Sequence, residues 1–393
     1  MFHYRTISLR EIRAVLLLGG VLLLLATQQS LKAQHDLLPI DHPATETLLR
    51  LARAGVIPLF PIEHLPISRS EAFVWLTRAA AAPDIAPSML AQLRWHQQAL
   101  AIDVNAELPA VIIPTMTDSL QLFDDYDRSR AWAGIAFHDS ATAGLVRLDP
   151  VLDVENRTDL TGKDGTAVVV QGGIRLRAGI GPVGLAATAT NGTIVGDEAV
   201  VLADPRFGRS FKFGQIAINR DIDFGRGHLR VATTGFHAGV AREPVRLGIG
   251  DASTLLLGAT LPSDIDWFRI GVSVGPLRYT HIHGALLDET TNGFAGAFSD
   301  IPSKYIAAHL LSVGGIGPVR LSVGESVIYG DRPIEIGYLN PLNFLKSQEH
   351  FLRDRDNSML YGGLDIRPVA GLGFEGELLI DDLIFGNIGS RYW

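Results

Sequence analysis

The chain contains no cysteine. That excludes a disulfide framework and any thiolate metal site. Charged side chains are scarce, at 19% of residues, and the formal net charge is −8. Nucleic acid calls for a basic face, so that class of partner is set aside. Long apolar runs are nearly missing as well. The one from Ala14 to Ala26 falls short of the roughly 20 residues a spanning helix needs. No later run has helix length, so any membrane insertion must be by means other than a spanning helix. What the chain does have is 47% hydrophobic residues and 41 glycines. That mixture is too apolar for disorder and too glycine-rich for an ordinary helical enzyme.

At the N-terminus Arg5, Arg10 and Arg13 precede the apolar run, and the small residue Ala33 follows it. A basic region, a short apolar region and a small residue are the pattern of a cleavable signal peptide, here residues 1–33. The competing reading is an uncleaved anchor. Residues 36–105 carry helical spacing. Leu48, Leu51, Ala52 and Ile57 form one stripe, with Gly55 placed to end the helix. Pro58, Pro61 and Pro66 force an irregular connection. Ser68-Arg-Ser-Glu71 is a capping box that starts a helix over Ala72–Ala82. A third helix follows Pro87, with Met89, Leu90, Leu93 and Leu100. This is a small helical bundle. Its capping box also resembles the Ser/Thr-Arg-x-Glu of S-layer-homology modules.

From about Val111 onward the apolar period changes to two. Ile174–Ile180, Phe211–Ile218, Leu229–Thr233, Val319–Val323 and Phe374–Leu378 alternate, and such segments recur throughout. Gly181-Pro182, Gly275-Pro276 and Gly317-Pro318 read as tight turns between neighbouring strands. So much strand is too much for one sandwich. A transmembrane antiparallel β-barrel of about 14–18 strands over residues 111–393 uses it naturally. The expected class is therefore mainly β, with the barrel following the helical bundle.

Gly324 to Asn357 is the polar exception, a long connection between two alternating runs. Glu325, Asp331, Arg332, Glu335, Glu349, His350, Arg353, Asp354, Arg355 and Asp356 crowd there among Tyr329, Tyr338, Asn340, Asn343, Phe344 and Asn357. Planar polar groups can bind sugar hydroxyls, and aromatic rings can stack on pyranose faces. The candidate polysaccharide-binding set is Tyr329, Arg332, Glu335, Tyr338, Asn340, Glu349, His350, Asp354, Arg355, Asp356 and Asn357. The bland alternative is a salt-bridged loop fixed inside a barrel lumen, with Arg332 and Arg355 pairing to Glu335 or Glu349. A glycosidase would need two opposed carboxylates, for which Glu325, Glu335 and Glu349 are the candidates. Asp354, Asp356 and Asn357 have a calcium-ligand look but lack the glycine and distal glutamate of an EF-hand. His281 and His283 share one strand face and lack a third ligand, so they read as polar, lumen-facing residues. No metal, cofactor or catalytic residue is assigned.

This region also resembles the Wzi family of capsule-assembly proteins of the Gram-negative outer membrane. The residues are Lys304-Tyr305, His309-Leu310, Gly324-Glu325, Tyr329-Gly-Asp-Arg332, Tyr338-Leu-Asn-Pro341, Glu349-His350, Asp354, Asp356-Asn357 and Gly376–Asp382, with Pro66-Ile-Ser-Arg69 near the N-terminus. The resemblance implies a monomeric outer-membrane barrel with a periplasmic helical bundle. It further implies lectin-like holding of exported polysaccharide at the cell surface. The expected partners are that polysaccharide, outer-membrane lipid and the barrel-assembly machinery. One departure is that the chain stops soon after Asp381-Asp382, where family members continue with further strands. A compact member and a truncated frame both fit, and truncation is the expectation. The functional alternative is a diffusion channel with a peptidoglycan-associated helical segment.

Overall fold

The computed structural model describes residues 35–83, 85–104, 133–138, 143–158, 165–197, 200–201, 220–251, 253–258, 264–286, 304–369 and 371–381. The proposed signal segment, the alternating run Phe211–Ile218 and Asp382–Trp393 lie outside them. Three helices come first: α1 (Pro43–Arg53), α2 (Arg69–Ala80) and α3 (Pro87–Val104), with the short strand β1 (His64–Leu65) between α1 and α2. Each helix starts where its chemistry permits. The His42 ring accepts from the Ala44 amide at 3.0 Å, with Pro43 at the first helical position. Ser68 accepts from the Glu71 amide at 3.2 Å. Glu71 directs its carboxylate instead to Arg278, 2.9 Å away. The helix therefore begins directly after its cap, three residues before the expected Ala72. Gly55 takes the left-handed φ of 80° after α1. Leu48, Leu51, Phe60, Ile62, Trp75, Leu76, Leu93 and Leu100 close into one buried core, joined by Ile249 from a distant connection. The proline-rich connection contains β1 and a cis Leu65–Pro66 bond.

The remaining strands are β2 (Ala133–His138), β3 (Ala143–Thr158), β4 (Thr166–Ile180), β5 (Val183–Gly196), β6 (Arg220–Thr233), β7 (Phe236–Glu243), β8 (Arg246–Leu247), β9 (Ile265–Val274), β10 (Leu277–Leu286), β11 (Lys304–Ile316), β12 (Val319–Gly330), β13 (Asn357–Val369) and β14 (Leu372–Asp381). Twelve of them, β2 to β7 and β9 to β14, form one antiparallel sheet in simple chain order; β8 pairs with β1. The described sheet thus has twelve strands where about 14–18 were expected. It ends at β2 and β14, with no pairing between these two among the described residues.

The connections alternate in length. Gly181-Pro182, Thr234-Gly235, Gly275-Pro276, Gly317-Pro318 and the turn at Gly371 all lie at one end of the sheet. Gly181, Gly275 and Gly317 have φ of 52°, 57° and 60°, which an L side chain adopts only at a cost. The connections from β5 to β6, β7 to β9, β10 to β11 and β12 to β13 lie at the other end and are long. The two-residue period gives each strand two sides. One side carries Arg147, Arg175, Arg177, Arg230, Arg269, Arg320 and Asp365, all buried. The other carries Leu152, Val154, Ile174, Val195, Leu229, Val240, Val274, Val323, Phe374 and Leu378, all exposed.

The N-terminal helical unit packs on the charged side, close to the short turns. Arg278 and Arg320, each two residues past such a turn, reach Glu71 and Glu63. Arg367, near another, donates to the Arg53 carbonyl. The β7–β9 connection folds onto the same side, where Leu247 and Leu256 join Trp267, Ile282 and Leu310 in a second core. We call this the packed face and the other the open face.

Candidate functional site

The segment 331–356 leaves β12 at the long-connection end and folds back over the open face of β10 to β12. Asp331 makes the turn at a φ of 58°, which aspartate tolerates better than most residues. A 3-10 turn (Ile336–Leu339) and a short helix, α4 (Leu345–Phe351), follow. Glu325 of β12 fixes that helix. Its carboxylate accepts the Leu345 amide at 2.9 Å and the Lys346 amide at 3.3 Å, and it pairs with His309 at 3.2 Å. Tyr338 and Leu345 are buried against Ala307, Val327 and Tyr329 in a small core that belongs to the open face.

The polar side chains of the segment mostly bond to one another. Arg332 holds Asp356 with two bonds of 2.7 and 2.5 Å, and the Tyr338 hydroxyl donates to the same carboxylate at 2.7 Å. Burial pushes the Asp356 carboxyl up, but these donors outweigh it and hold it below the ordinary carboxylate range. The bond to Asp356 chiefly raises Arg332. The Arg332 guanidinium also lies over the Tyr329 ring, 4.8 Å from its centre. Tyr305, Tyr329 and Tyr338 form a stack with ring centres 5.2 and 5.1 Å apart. The Tyr329 hydroxyl accepts the Glu335 amide at 3.1 Å. Lys346 donates to the buried Glu349 at 2.8 Å, and Asn340 accepts the Leu342 amide.

The candidate residues therefore separate into two groups. Tyr329, Arg332, Tyr338, Glu349 and Asp356 hold the segment together. His350, Asp354, Arg355 and Asn357 are exposed near the start of β13, and Asn340 is exposed on the segment itself. His350 and Asp354 pair at 3.2 Å across open surface. Glu335 is half-buried, bound through its amide.

One expectation is corrected, and two placements follow from strand parity. Arg332 pairs with Asp356, not with Glu335 or Glu349, because the chain reversal brings residues 332 and 356 together at the roots of the segment. The segment does not lie on the face filled by the N-terminal unit; it covers the opposite one. His281 and His283 lie on that opposite face too, since strand parity groups them with Tyr279 and His309. Among the described residues no three His, Asp or Glu side chains are grouped to hold a metal ion, and Asp356 is already taken by Arg332 and Tyr338. Of the carboxylates offered for hydrolysis, Glu325 caps α4 and Glu349 binds Lys346.

The alternating sequence pattern does not set Tyr279, Tyr305 and His309 apart, yet all lie beneath the segment. Tyr279 donates to the Pro341 carbonyl, and His309 stacks edge-on to His281 at 4.8 Å. A signal existed. These residues occupy strand positions that elsewhere hold aliphatic side chains. Beside the segment a shallow groove of about 580 Å³ runs over the open face, lined by Leu229, Val240, Phe268, Ala285, Ile334 and Leu339.

The packed face has its own polar seam. Glu63 and Arg320 pair at 2.6 Å. Burial raises the Glu63 carboxyl, but the Arg320 guanidinium beside it brings it below its ordinary value. His64 bonds to Thr280 at 2.8 Å and to Ser312 at 2.7 Å, and burial pushes the ring down to about 3. Arg269 donates to the Pro66 and His64 carbonyls, both at 3.0 Å. No family model, no curated protein and no solved structure matches this chain.

Proposed function

We propose that the chain is an outer-membrane-type β-barrel, plugged by its N-terminal helical unit, that holds exported polysaccharide at the cell surface. One observation carries the barrel part: the division of the sheet into a buried charged face and an exposed aliphatic one. Water-soluble sheets bury their apolar side, whereas membrane barrels turn it outward. The alternation of short turns with long connections supports the same reading. The helical unit, seated at the short-turn end, is then periplasmic, and the long connections face outward.

The polysaccharide part rests on the resemblance of Tyr329–Asn357 to the Wzi family. It is supported by the exposed polar group His350, Asp354, Arg355 and Asn357 at the long-connection end. The diffusion-channel alternative has less support, because the helical unit and the β7–β9 connection occupy the packed face of β9 to β13. We assign no catalytic residue, metal or cofactor, and read the barrel as a monomer inserted by the barrel-assembly machinery.

The test is binding of the detergent-refolded protein to exopolysaccharide from its own source, beside a His350→Ala/Asp354→Ala/Arg355→Ala variant. Saturable binding that this variant loses, with its thermal unfolding unchanged, is the expected result. A well-folded protein that binds no polysaccharide and conducts ions in planar bilayers overturns it in favour of the channel.

A further inference from the structure

The segment 331–356 has a sidedness of its own. Its charged network turns toward the sheet or toward the roots of the loop. Outward it presents Ile334 (49% exposed), Ile336 (80%), Leu342 (91%), Phe344 (50%) and Phe351 (79%). A loop in water does the reverse, burying such side chains and exposing its charges. The strand positions between the segment and the short turns are aliphatic and exposed as well, at Leu311, Leu321, Val323 and Leu364. The apolar surface of the open face thus continues over the segment, interrupted by the exposed Asn340, Ser347 and His350.

Beneath the segment the open face is unlike the rest. Tyr279, His281, His309 and Glu325 hold polar groups at positions where other strands carry valine, leucine or isoleucine. Uncovered, they would set a patch of polar groups into the apolar band. Irregular backbone normally cannot lie in hydrocarbon, because its amides and carbonyls have no water to bond. Here fixed partners take many of them. Glu325 takes the amides of Leu345 and Lys346, Tyr329 that of Glu335 and Asn340 that of Leu342. Asn343 donates to the Gly337 carbonyl and Tyr279 to that of Pro341.

We propose that the outer surface of residues 334–351 is a lipid-contacting surface, with Ile336, Leu342, Phe344 and Phe351 against bilayer acyl chains. It rests on the barrel reading and extends it. The segment is a patch that restores an apolar perimeter over a polar sector of the sheet. The exposed His350, Arg353, Asp354 and Arg355 near its root then mark the edge of the bilayer.

The test is depth-dependent fluorescence quenching in phosphatidylcholine vesicles with brominated acyl chains, using the full chain. A Leu342→Trp variant is compared with Val323→Trp on the neighbouring strand, each as a difference from the parent, which has five tryptophans. The expected result is a blue-shifted added emission at residue 342, quenched to the same fraction as that at residue 323. Quenching at residue 323 but not at 342 overturns the inference while leaving the barrel intact. Quenching at neither overturns both. Added emission at 342 that is blue-shifted but unquenched, with concentration-dependent cross-linking between copies, assigns the surface to self-association and also overturns it.

Discussion

Two covers lie on opposite faces of one sheet, and they are attached by different physics. The N-terminal helical unit has an apolar core of its own and meets the packed face through buried polar contacts: Glu63 with Arg320, Arg269 with two carbonyls, His64 with two hydroxyls. The segment 331–356 has only a small core, spends most of its charges on itself, and shows apolar side chains outward. One cover behaves like a folded unit docked on a charged wall. The other behaves like a strap tied at its roots. Beneath each cover, polar strand residues such as Arg320 and Glu325 point toward it.

The comparison can be broken most forcefully at Arg320. An Arg320→Ala variant leaves Glu63 as an unpaired buried carboxylate, and a loss of about 3–5 kcal/mol is expected. Denaturant unfolding in detergent measures it, and an Arg320→Met/Glu63→Met double variant should recover most of it. At the other cover, Asp356→Ala frees Arg332 and Tyr338 and should cost about 2–3 kcal/mol. That loss should be local, with faster proteolysis within residues 331–356 and global unfolding little changed. Equal effects of both variants on global unfolding would erase the distinction between docked unit and strap.

Acid sharpens the same contrast. Asp356 is depressed in the folded state, so its contribution is complete above about pH 4, the ordinary carboxylate value, and is lost as the pH falls through the lower folded one. Hydrogen exchange of the segment should rise across that acid window. Protection that is unchanged down to about pH 2 would mean that Asp356 does not hold the strap. Tyr279→Phe deletes the bond to the Pro341 carbonyl and should loosen the segment by about 1 kcal/mol, read by the same exchange experiment. Smallest is Gly317→Ala at a short turn, about 1 kcal/mol or a little less once the lower entropy of the unfolded chain offsets part of the left-handed strain. A Cβ there meets no neighbouring atom, so the cost is the backbone's alone and should appear in thermal unfolding with neither cover released.

Much of this was legible in the chain. The capping serine Ser68, the stop at Gly55 and the turns Gly181-Pro182, Gly275-Pro276 and Gly317-Pro318 act locally, and each lies where its residue type requires. The two-residue period placed Ile174–Ile180 and Val319–Val323 inside strands. Period alone could not say which side of a strand would be covered. Parity sorts His281 and His309 onto one side, but whether that side faces a helical unit, a loop or solvent depends on segments far away in sequence. Arg332 shows the same limit, since Asp331 and Glu335 are its nearest carboxylates in sequence, yet it pairs with Asp356.

By itself the sequence determined the local elements of this protein: helices from their caps and spacing, strands from alternation, and turns from glycine and proline. Backbone conformation and side-chain period are short-range properties, and each residue carries them. Only the tertiary structure decided the partners. Glu63 reaches Arg320 and Glu325 caps a helix twenty residues on because the antiparallel register brings those atoms together. The energy of pairing charges and covering apolar surface is set by distance in space, which chain position does not fix.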